Sequence, residues 1–370
     1  MNDIESLFFY LFCFGVSAML FHVGQRRKLR TPTIAAILIP TLVGGFRYRV
    51  GVDYVSYMSK LMAAPKSGLA EFSSKFGGME PALWLFGQLP WQVFFFATSF
   101  LTIFFFYLGF KNFKSKHIGL CMFLVMLVIF PQALGGVRQG VAMAICFYAF
   151  SFIPKRRYAI SATIILCAAL FHYSSLVMLL LLPLYYLVVL KSETDKKFLT
   201  KISIMVVALG VAVIVGFQVI EHIPFLSKYA IYNTDAFAEQ YGQYTSSHNI
   251  MPELAACALI AMFYGHLVKG RKNDGRFMLV SIVLMMAITL IGFKVPLASR
   301  LADYFIAFFI LAITSAIDTF DDRSSRNFMA GVAIAYAILF FFAGVYINGS
   351  GEIFPYRTLF EIAATCKISP

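Results

Sequence analysis

The sequence predicts an all-α protein, built as a polytopic bundle of transmembrane helices. Of its 370 residues, 60% are hydrophobic and only 13% are charged. Soluble domains are typically about 45–50% apolar and about 25% charged. One soluble core cannot bury an apolar excess of this size, whereas a membrane helix needs about 20 such residues. We therefore expect a single integral membrane domain over residues 1–370.

The apolar runs predict about twelve spans in chain order. Several are short, and the stretch 158–190 is either one long helix or two helices broken at His172. The predicted spans are residues 6–23, 32–46, 90–110, 117–134, 138–153, 158–171, 173–190, 201–220, 252–268, 277–292, 300–317 and 328–346.

Basic residues decide between these alternatives. With an outward N-terminus and a break at His172, the dense clusters QRRKLR, KNFKSK, PKRR and KGRKNDGR all fall in inner loops, as the positive-inside rule requires. A single span over 158–190 would place the last cluster outside. We therefore expect both termini on the outer side of the membrane. The net charge of +13 then reflects membrane orientation, and no nucleic-acid partner is expected.

Two long segments are predicted on the outer side, at about 47–89 and 221–251. No soluble domain, internal repeat or paired cysteine spacing is evident. The chain also has no HExxH, CxxC, P-loop or GxSxG motif, and no DxD-like pair in an outer loop. We therefore expect no metal and no cofactor, and any chemistry should face outward.

Four arginines occur at the predicted outer ends of spans: Arg47, Arg49, Arg138 and Arg300. A single arginine there is equally well explained by snorkelling to the interface. Four at one membrane level favour an anion site, because guanidinium binds phosphate in bidentate fashion and keeps its charge. We predict that they bind a lipid-linked phosphate or pyrophosphate.

Asp53, Glu80 and His172 are the candidate proton acceptors. If residues 47–54 begin a helix, Asp53 pairs with Arg49 at i, i+4, and this fixing role is favoured over that of a general base. Glu80 precedes Pro81 at the start of an apolar run, where helix-dipole and proline preferences also explain it. His172 interrupts an apolar stretch, and an ionisable residue at membrane depth is a functional candidate.

Aromatic and amide side chains in the outer regions suit sugar rings and hydroxyls, although interfacial tyrosine belts have the same composition. The residues Arg300, Asp303 and Tyr304 share one helix face by their spacing. The predicted glycan-binding residues are Tyr54, Gln139, Tyr232, Tyr241, Tyr244 and Tyr304.

Six blocks in order resemble one family. They read FRYRVGVDYVSY, EPALWLF, GGVRQGVAMAICFYAF, ALFHYSSLVML, SRLADYF and PYRTLF. Together they resemble the EpsG-type branch of the Wzy polysaccharide polymerases. The chain departs from that pattern after Glu80-Pro81. Only about ten residues, Ala82 to Trp91, precede the next helix there, so this segment is expected to be re-entrant or interfacial.

The resemblance implies an inner-membrane glycosyltransferase of the C-type class. Such proteins polymerise undecaprenyl-pyrophosphate-linked oligosaccharide repeat units on the periplasmic side, as in O-antigen or related surface polysaccharides. It also implies the lipid bilayer as the setting and a chain-length regulator protein as a partner. The expected reaction is an inverting, metal-independent transfer, in which Arg47, Arg49, Arg138 and Arg300 stabilise the leaving pyrophosphate.

Three other functions remain open on the sequence. A ligase that moves a finished glycan to another acceptor needs the same arginines. A flippase or exporter of lipid-linked glycan predicts inverted repeats and polar residues along a transmembrane path. A non-catalytic subunit of a synthesis complex predicts that the outer arginines are dispensable.

Overall fold

The structure is a computed structural model. It describes residues 1–192, 194–219, 272–292 and 296–360, with a few positions between 255 and 265. Within these residues the regular structure is helical, apart from one isolated antiparallel β-bridge between Arg47 and Thr358. This agrees with the predicted all-α class.

The N-terminal part begins with a long apolar helix and a shorter apolar helix, followed by three short helices. They are α1 (Asp3–Arg27), α2 (Arg30–Phe46), α3 (Tyr54–Ala63), α4 (Leu69–Lys75) and α5 (Pro81–Gly87). Next come α6 (Trp91–Asn112), α7 (Ile118–Gly135, with a π-helical middle), α8 (Val137–Phe150) and α9 (Tyr158–Ala169).

The rest of the described chain is also helical. Its helices are α10 (Tyr173–Leu190, with 3₁₀, α and π parts), α11 (Asp195–Val219), α12 (Lys272–Gly292), α13 (Pro296–Ala302), α14 (Ile306–Ala316) and α15 (Arg323–Ile347).

Seven helical stretches in the described residues are long and apolar enough to cross a membrane, namely α1, α6, α7, α10, α12, α15 and the continuous stretch Ser299–Thr319, which includes α14. The helices α2, α8 and α9 are shorter apolar helices. The chain is thus a multi-pass membrane protein. The helix α9 ends at Ala169 and α10 begins at Tyr173, so the break predicted at His172 is confirmed. The total of about twelve spans and the outward placement of the termini stay predictions.

Local sequence explains where several helices begin. Asn2 caps α1, since its side chain accepts from the backbone N–H of Glu5 at 2.8 Å and the Glu5 carboxylate accepts from the Asn2 N–H at 2.9 Å. This reciprocal pair is the capping box. Pro81 is the first residue of α5, directly after Glu80, because proline is tolerated where no helical N–H bond is needed.

The chain forms two compact units, residues 1–179 with 321–370, and residues 180–320. In the first unit, α6 packs against α2 and α8, and α1 packs against α2 and α7. Gly44 and Gly45 permit the close approach of α2 to α6, since a Cβ there would lie 2.1 Å from Ser99 Oγ and from Phe96 Cδ1, respectively. In the second unit, α12 packs against α11, α13 and α14.

After α15, the segment 349–358 returns to the end of α2 within the first unit. The Tyr48 N–H donates to Arg357 O at 2.9 Å, and the Gly51 N–H donates to Glu352 O at 2.9 Å. The Tyr356 hydroxyl donates to Val43 O at 2.9 Å. The C-terminal segment is thereby fixed onto the loop that follows α2.

Candidate active site

Glu80 is the centre of a buried polar cluster in the first unit. Its side chain is 5% exposed, forms an ion pair with Arg138 and makes a hydrogen-bond contact with His172. One carboxylate oxygen accepts from Arg138 Nη1. The other lies 3.0 Å from His172 Nδ1 and accepts from the Tyr173 N–H at 3.2 Å. Three predicted site residues therefore meet, although they lie on separate segments.

The position of Glu80 follows from local geometry. It precedes α5 in an extended conformation and makes no side-chain capping bond to that helix, so its carboxylate is available to other segments. The N–H of Ala82 donates to Leu170 O at 3.1 Å, which ties the start of α5 to the end of α9. The loop that carries His172 is thus held beside Glu80.

Arg138 lies in the first turn of α8, after the Gly135–Gly136 turn. Its Nε donates to the Tyr57 hydroxyl at 3.2 Å, and its guanidinium lies 5.6 Å from the Tyr57 ring centroid. The side chain remains 19% exposed. Arg138 had no acidic neighbour in sequence, and the fold supplies one in Glu80. Two nitrogens of the guanidinium are therefore hydrogen-bonded, to Tyr57 and Glu80, while part of the group remains exposed.

Lys60 is a second cation beside this cluster. Its Nζ lies 6.0 Å from the same Tyr57 ring. Burial lowers the pKa of Lys60, the nearby charge of Arg138 lowers it further, and Asp53 partly opposes these effects. Two like charges gathered around one tyrosine favour an anionic ligand, because a bound anion would offset their repulsion.

The carboxylate also orients His172. With Nδ1 as the donor to Glu80, Nε2 of the neutral ring is the acceptor. The side chain is 24% exposed, compared with 5% for Glu80. An imidazole oriented by a buried carboxylate is an arrangement suited to accepting a proton. Of the three candidate proton acceptors, His172 is the one whose ring contacts a buried carboxylate.

Arg47 is buried, with 1% of its surface exposed. Its Nη1 donates to Leu134 O, and its guanidinium lies 5.0 Å from the Phe95 ring centroid and 5.8 Å from that of Tyr54. Leu134 lies just before the turn that leads to Arg138. This geometry favours a role for Arg47 in holding that turn.

Arg49 and Asp53 do not form the predicted helical pair. The helix α3 begins at Tyr54, and Arg49 has a left-handed backbone with φ 52°. Both side chains are exposed, and no ion pair joins them among the described contacts. The interpretation of residues 47–54 as the start of a helix is wrong, because Gly51 (φ 103°) and Arg49 turn the chain before the helix begins.

Arg49 instead lines a cavity of about 380 Å³ in the first unit. The other lining residues come from the C-terminal segment and are Gly349, Glu352, Phe354, Pro355 and Arg357. Arg49 also lies over the ring of Tyr48, with its guanidinium 5.5 Å from the centroid.

The remaining predicted residues differ in burial. Tyr54 is buried and stacks on Phe95 at 4.4 Å, and Gln139 is partly exposed beside Arg138. In the second unit, Arg300 is exposed and Tyr304 is buried. Predicted glycan-binding residues outside the described part of the chain are Tyr232, Tyr241 and Tyr244.

Sequence reasoning missed Tyr57, Lys60, Glu352 and Arg357. Lys60 lies one turn after Tyr57 on α3, so the helical spacing could have grouped them. Arg357 lies within the PYRTLF block. No local signal connects Arg357 to Arg49, because their proximity depends on the return of the C-terminal segment.

The fold and this cluster define a class: a multi-pass helical membrane protein with a carboxylate, a histidine and paired cations gathered at the ends of its helices. Comparison with family models specifies it further, because the model of the EpsG family matches residues 31–358. The chain belongs to the EpsG family, and it is a polysaccharide-polymerase-like membrane protein. Comparison with curated proteins and with solved structures gives no significant match.

The matched region contains the Glu80 cluster and the segment that returns to the end of α2. It includes Glu80, Arg138 and His172, and it ends at Thr358, the residue that forms the β-bridge with Arg47. The C-terminal return onto the 47–52 loop thus falls within the region that the family shares.

Proposed function

We propose that the protein polymerises undecaprenyl-pyrophosphate-linked oligosaccharide repeat units at the periplasmic face of the bacterial inner membrane. The observation that carries the proposal is the buried Glu80 carboxylate that joins Arg138 and His172 in a chain of the EpsG family. A base and a cation held by one carboxylate supply the two functions that glycosyl transfer from a pyrophosphate needs.

The reaction is an inverting displacement at the anomeric carbon of the donor sugar. The acceptor hydroxyl oxygen forms the new glycosidic bond from the face opposite the pyrophosphate. Its proton passes to Nε2 of His172. The bond between the anomeric carbon and the pyrophosphate oxygen breaks, and the electron pair leaves with the lipid pyrophosphate.

Glu80 acts by holding the other two residues. Its buried oxygens are engaged by Arg138, His172 and the Tyr173 N–H, so the carboxylate orients the imidazole and stabilises it as it gains a proton. Asp53 lies exposed near Lys60 and serves as a charge partner there.

Arg138 stabilises the negative charge that develops on the leaving pyrophosphate. Preorganised donors are most effective where charge appears in the transition state, and Glu80 and Tyr57 fix the guanidinium before substrate binds. Lys60 adds a second positive charge. Gln139, beside Arg138, and the tyrosines Tyr232, Tyr241 and Tyr244 of the predicted outer segment 221–251 bind the glycan.

The test is reconstitution of the purified protein with a defined lipid-pyrophosphate oligosaccharide in the presence of EDTA. A ladder of products supports metal-independent polymerisation. We expect Arg138→Ala and His172→Ala to abolish the ladder. His22→Ala should retain it, because His22 is an exposed residue of α1.

The alternatives give different results in the same vesicles. Transfer of one finished glycan to another acceptor, without a ladder, would indicate a ligase. Transbilayer movement of the lipid without new glycosidic bonds would indicate a flippase. Full-length polymer from Arg138→Ala would refute the role of this arginine with the leaving group.

A further inference from the structure

The cavity between the loop after α2 and the C-terminal segment is not used in the reaction proposed above. It has a volume of about 380 Å³ and is lined by two arginines, Arg49 and Arg357, with Glu352, Phe354 and Pro355. This volume lies within the range of small-ligand sites, which runs from about 300 to 1,000 Å³.

The walls of this cavity are held by the backbone. The Tyr48 N–H donates to Arg357 O at 2.9 Å, and the Gly51 N–H donates to Glu352 O at 2.9 Å. The Val52 N–H donates to Gly351 O at 3.3 Å. These bonds involve main-chain atoms, so the side chains of Arg357 and Glu352 are left to the cavity. A site built on fixed backbone presents its side chains in a defined geometry.

Arg49 adopts a conformation that a non-glycine residue rarely has. Its φ of 52° costs about 1 kcal/mol or more and persists only when its surroundings impose it. The hydrogen bonds of Tyr48 and Gly51 on either side impose this conformation. The result is that the guanidinium lines the cavity beside that of Arg357.

The charges of the cavity are unbalanced. Arg49 and Arg357 have no ion pair with any described carboxylate, and Glu352 supplies the single negative charge. Two guanidinium groups bind a carboxylate or phosphate in bidentate fashion. A carboxylate accepts hydrogen bonds from sugar hydroxyls, and Phe354 with Pro355 offers apolar surface to a ring face.

We infer that this cavity binds an anionic sugar, a pyranose ring that carries a carboxylate or phosphate group. Arg49 and Arg357 bind the anionic group, Glu352 accepts from a ring hydroxyl, and Phe354 packs on the ring. The inference rests on the proposed function only in taking the glycan substrate as the source of that sugar. It makes the cavity a specificity site of the polymerase, selecting repeat units with an acidic or phosphorylated sugar.

Binding can be measured without turnover, by titration calorimetry on the full-length protein in detergent. The probes are glucuronate, glucose 1-phosphate, glucose and inorganic phosphate. We expect at least one anionic sugar to bind about tenfold or more tightly than glucose and phosphate, because charged hydrogen bonds and hydroxyl contacts act together. The better of the two anionic sugars identifies the group selected.

Variants assign the site. Arg357→Ala should weaken binding of the anionic sugar about tenfold or more, and its backbone bond to Tyr48 is retained. Arg323→Ala, an exposed arginine at the start of α15, is the matched control and should bind as the natural protein does. Glu352→Gln should strengthen phosphate binding, since it removes a repelling charge, and reduce the preference for the sugar.

Unchanged affinity in Arg357→Ala would overturn the inference, and so would glucose or phosphate binding as tightly as both anionic sugars. These outcomes are distinct from failure of the proposed function. The product ladder tests the Glu80 cluster, whereas the titration tests the Arg49–Arg357 cavity in the absence of a lipid substrate.

Discussion

Replacing Glu80 with glutamine removes one negative charge and keeps the size of the side chain. The carboxylate is 5% exposed and accepts from Arg138, His172 and the Tyr173 N–H. Glutamine has one acceptor oxygen, and its NH₂ group is a donor. At least one of the two side chains that contact this carboxylate, Arg138 or His172, therefore loses its hydrogen-bond acceptor.

The contacts set the size of the effect. A hydrogen bond to a charged group contributes about 1.5–3 kcal/mol, so we expect Glu80→Gln to lower the free energy of unfolding by roughly that amount. The effect on rate should be larger. His172 loses the contact that makes Nδ1 its donor, and a positioned proton acceptor contributes about 10²–10⁴-fold to a rate. We expect a loss of polymerisation in that range.

The assay is the rate of ladder formation in reconstituted vesicles, with thermal unfolding in detergent measured in parallel. Glu71→Gln is the matched control, because Glu71 is exposed on α4; both measurements should be unchanged. The orienting role would be refuted if Glu80→Gln lowered the melting temperature but left the rate of polymerisation within about threefold of that of the natural protein. Glu80 would then be a structural residue.

Three further predictions follow from burial and contact distances. Arg47→Ala should lower the free energy of unfolding by roughly 2–5 kcal/mol, because a buried side chain and its bond to Leu134 O are lost. Arg49→Ala, at an exposed residue, should change the free energy of unfolding by less than about 0.5 kcal/mol. Equal losses in the two variants would contradict the structural role of Arg47. The pKa of Lys60 is lowered in the fold, so the protonated side chain destabilises the folded state below that pKa, and this destabilisation disappears as pH rises past the usual lysine pKa of about 10.4. Lys60→Met should therefore raise the melting temperature at pH 7 and slow polymerisation. A lower melting temperature would show that the charge of Lys60 is stabilising. Gly140→Ala places a Cβ 2.4 Å from Ala133 Cβ and should cost about 1–3 kcal/mol in thermal or denaturant unfolding; Gly331→Ala, which meets nothing within 4 Å, is its control and should not destabilise.

The burial of Arg47 separates two arginines that are equivalent in the sequence. Both follow the apolar run of α2, and both were predicted to bind pyrophosphate. In the fold, Arg47 is held among Leu134, Phe95 and Tyr54, whereas Arg49 lines a cavity. Both arginines follow the same predicted span, so only the packing around each side chain distinguishes them.

The sequence by itself determined the helical class, most helix boundaries within the described residues, the break at His172 and the start of α5 at Pro81. Hydropathy, proline and the break in an apolar run act on the residue itself and its near neighbours, so they are visible without the fold. Membership of the family was also visible in blocks that keep their order along the chain.

Only the tertiary structure decided how the site is assembled. Glu80 meets Arg138 and His172 across 58 and 92 positions of sequence, and the C-terminal segment returns to the loop that carries Arg49. Such contacts depend on which helix ends pack together. The sequence shows the charge of each residue. The packing of distant segments determines which residue of opposite charge pairs with it.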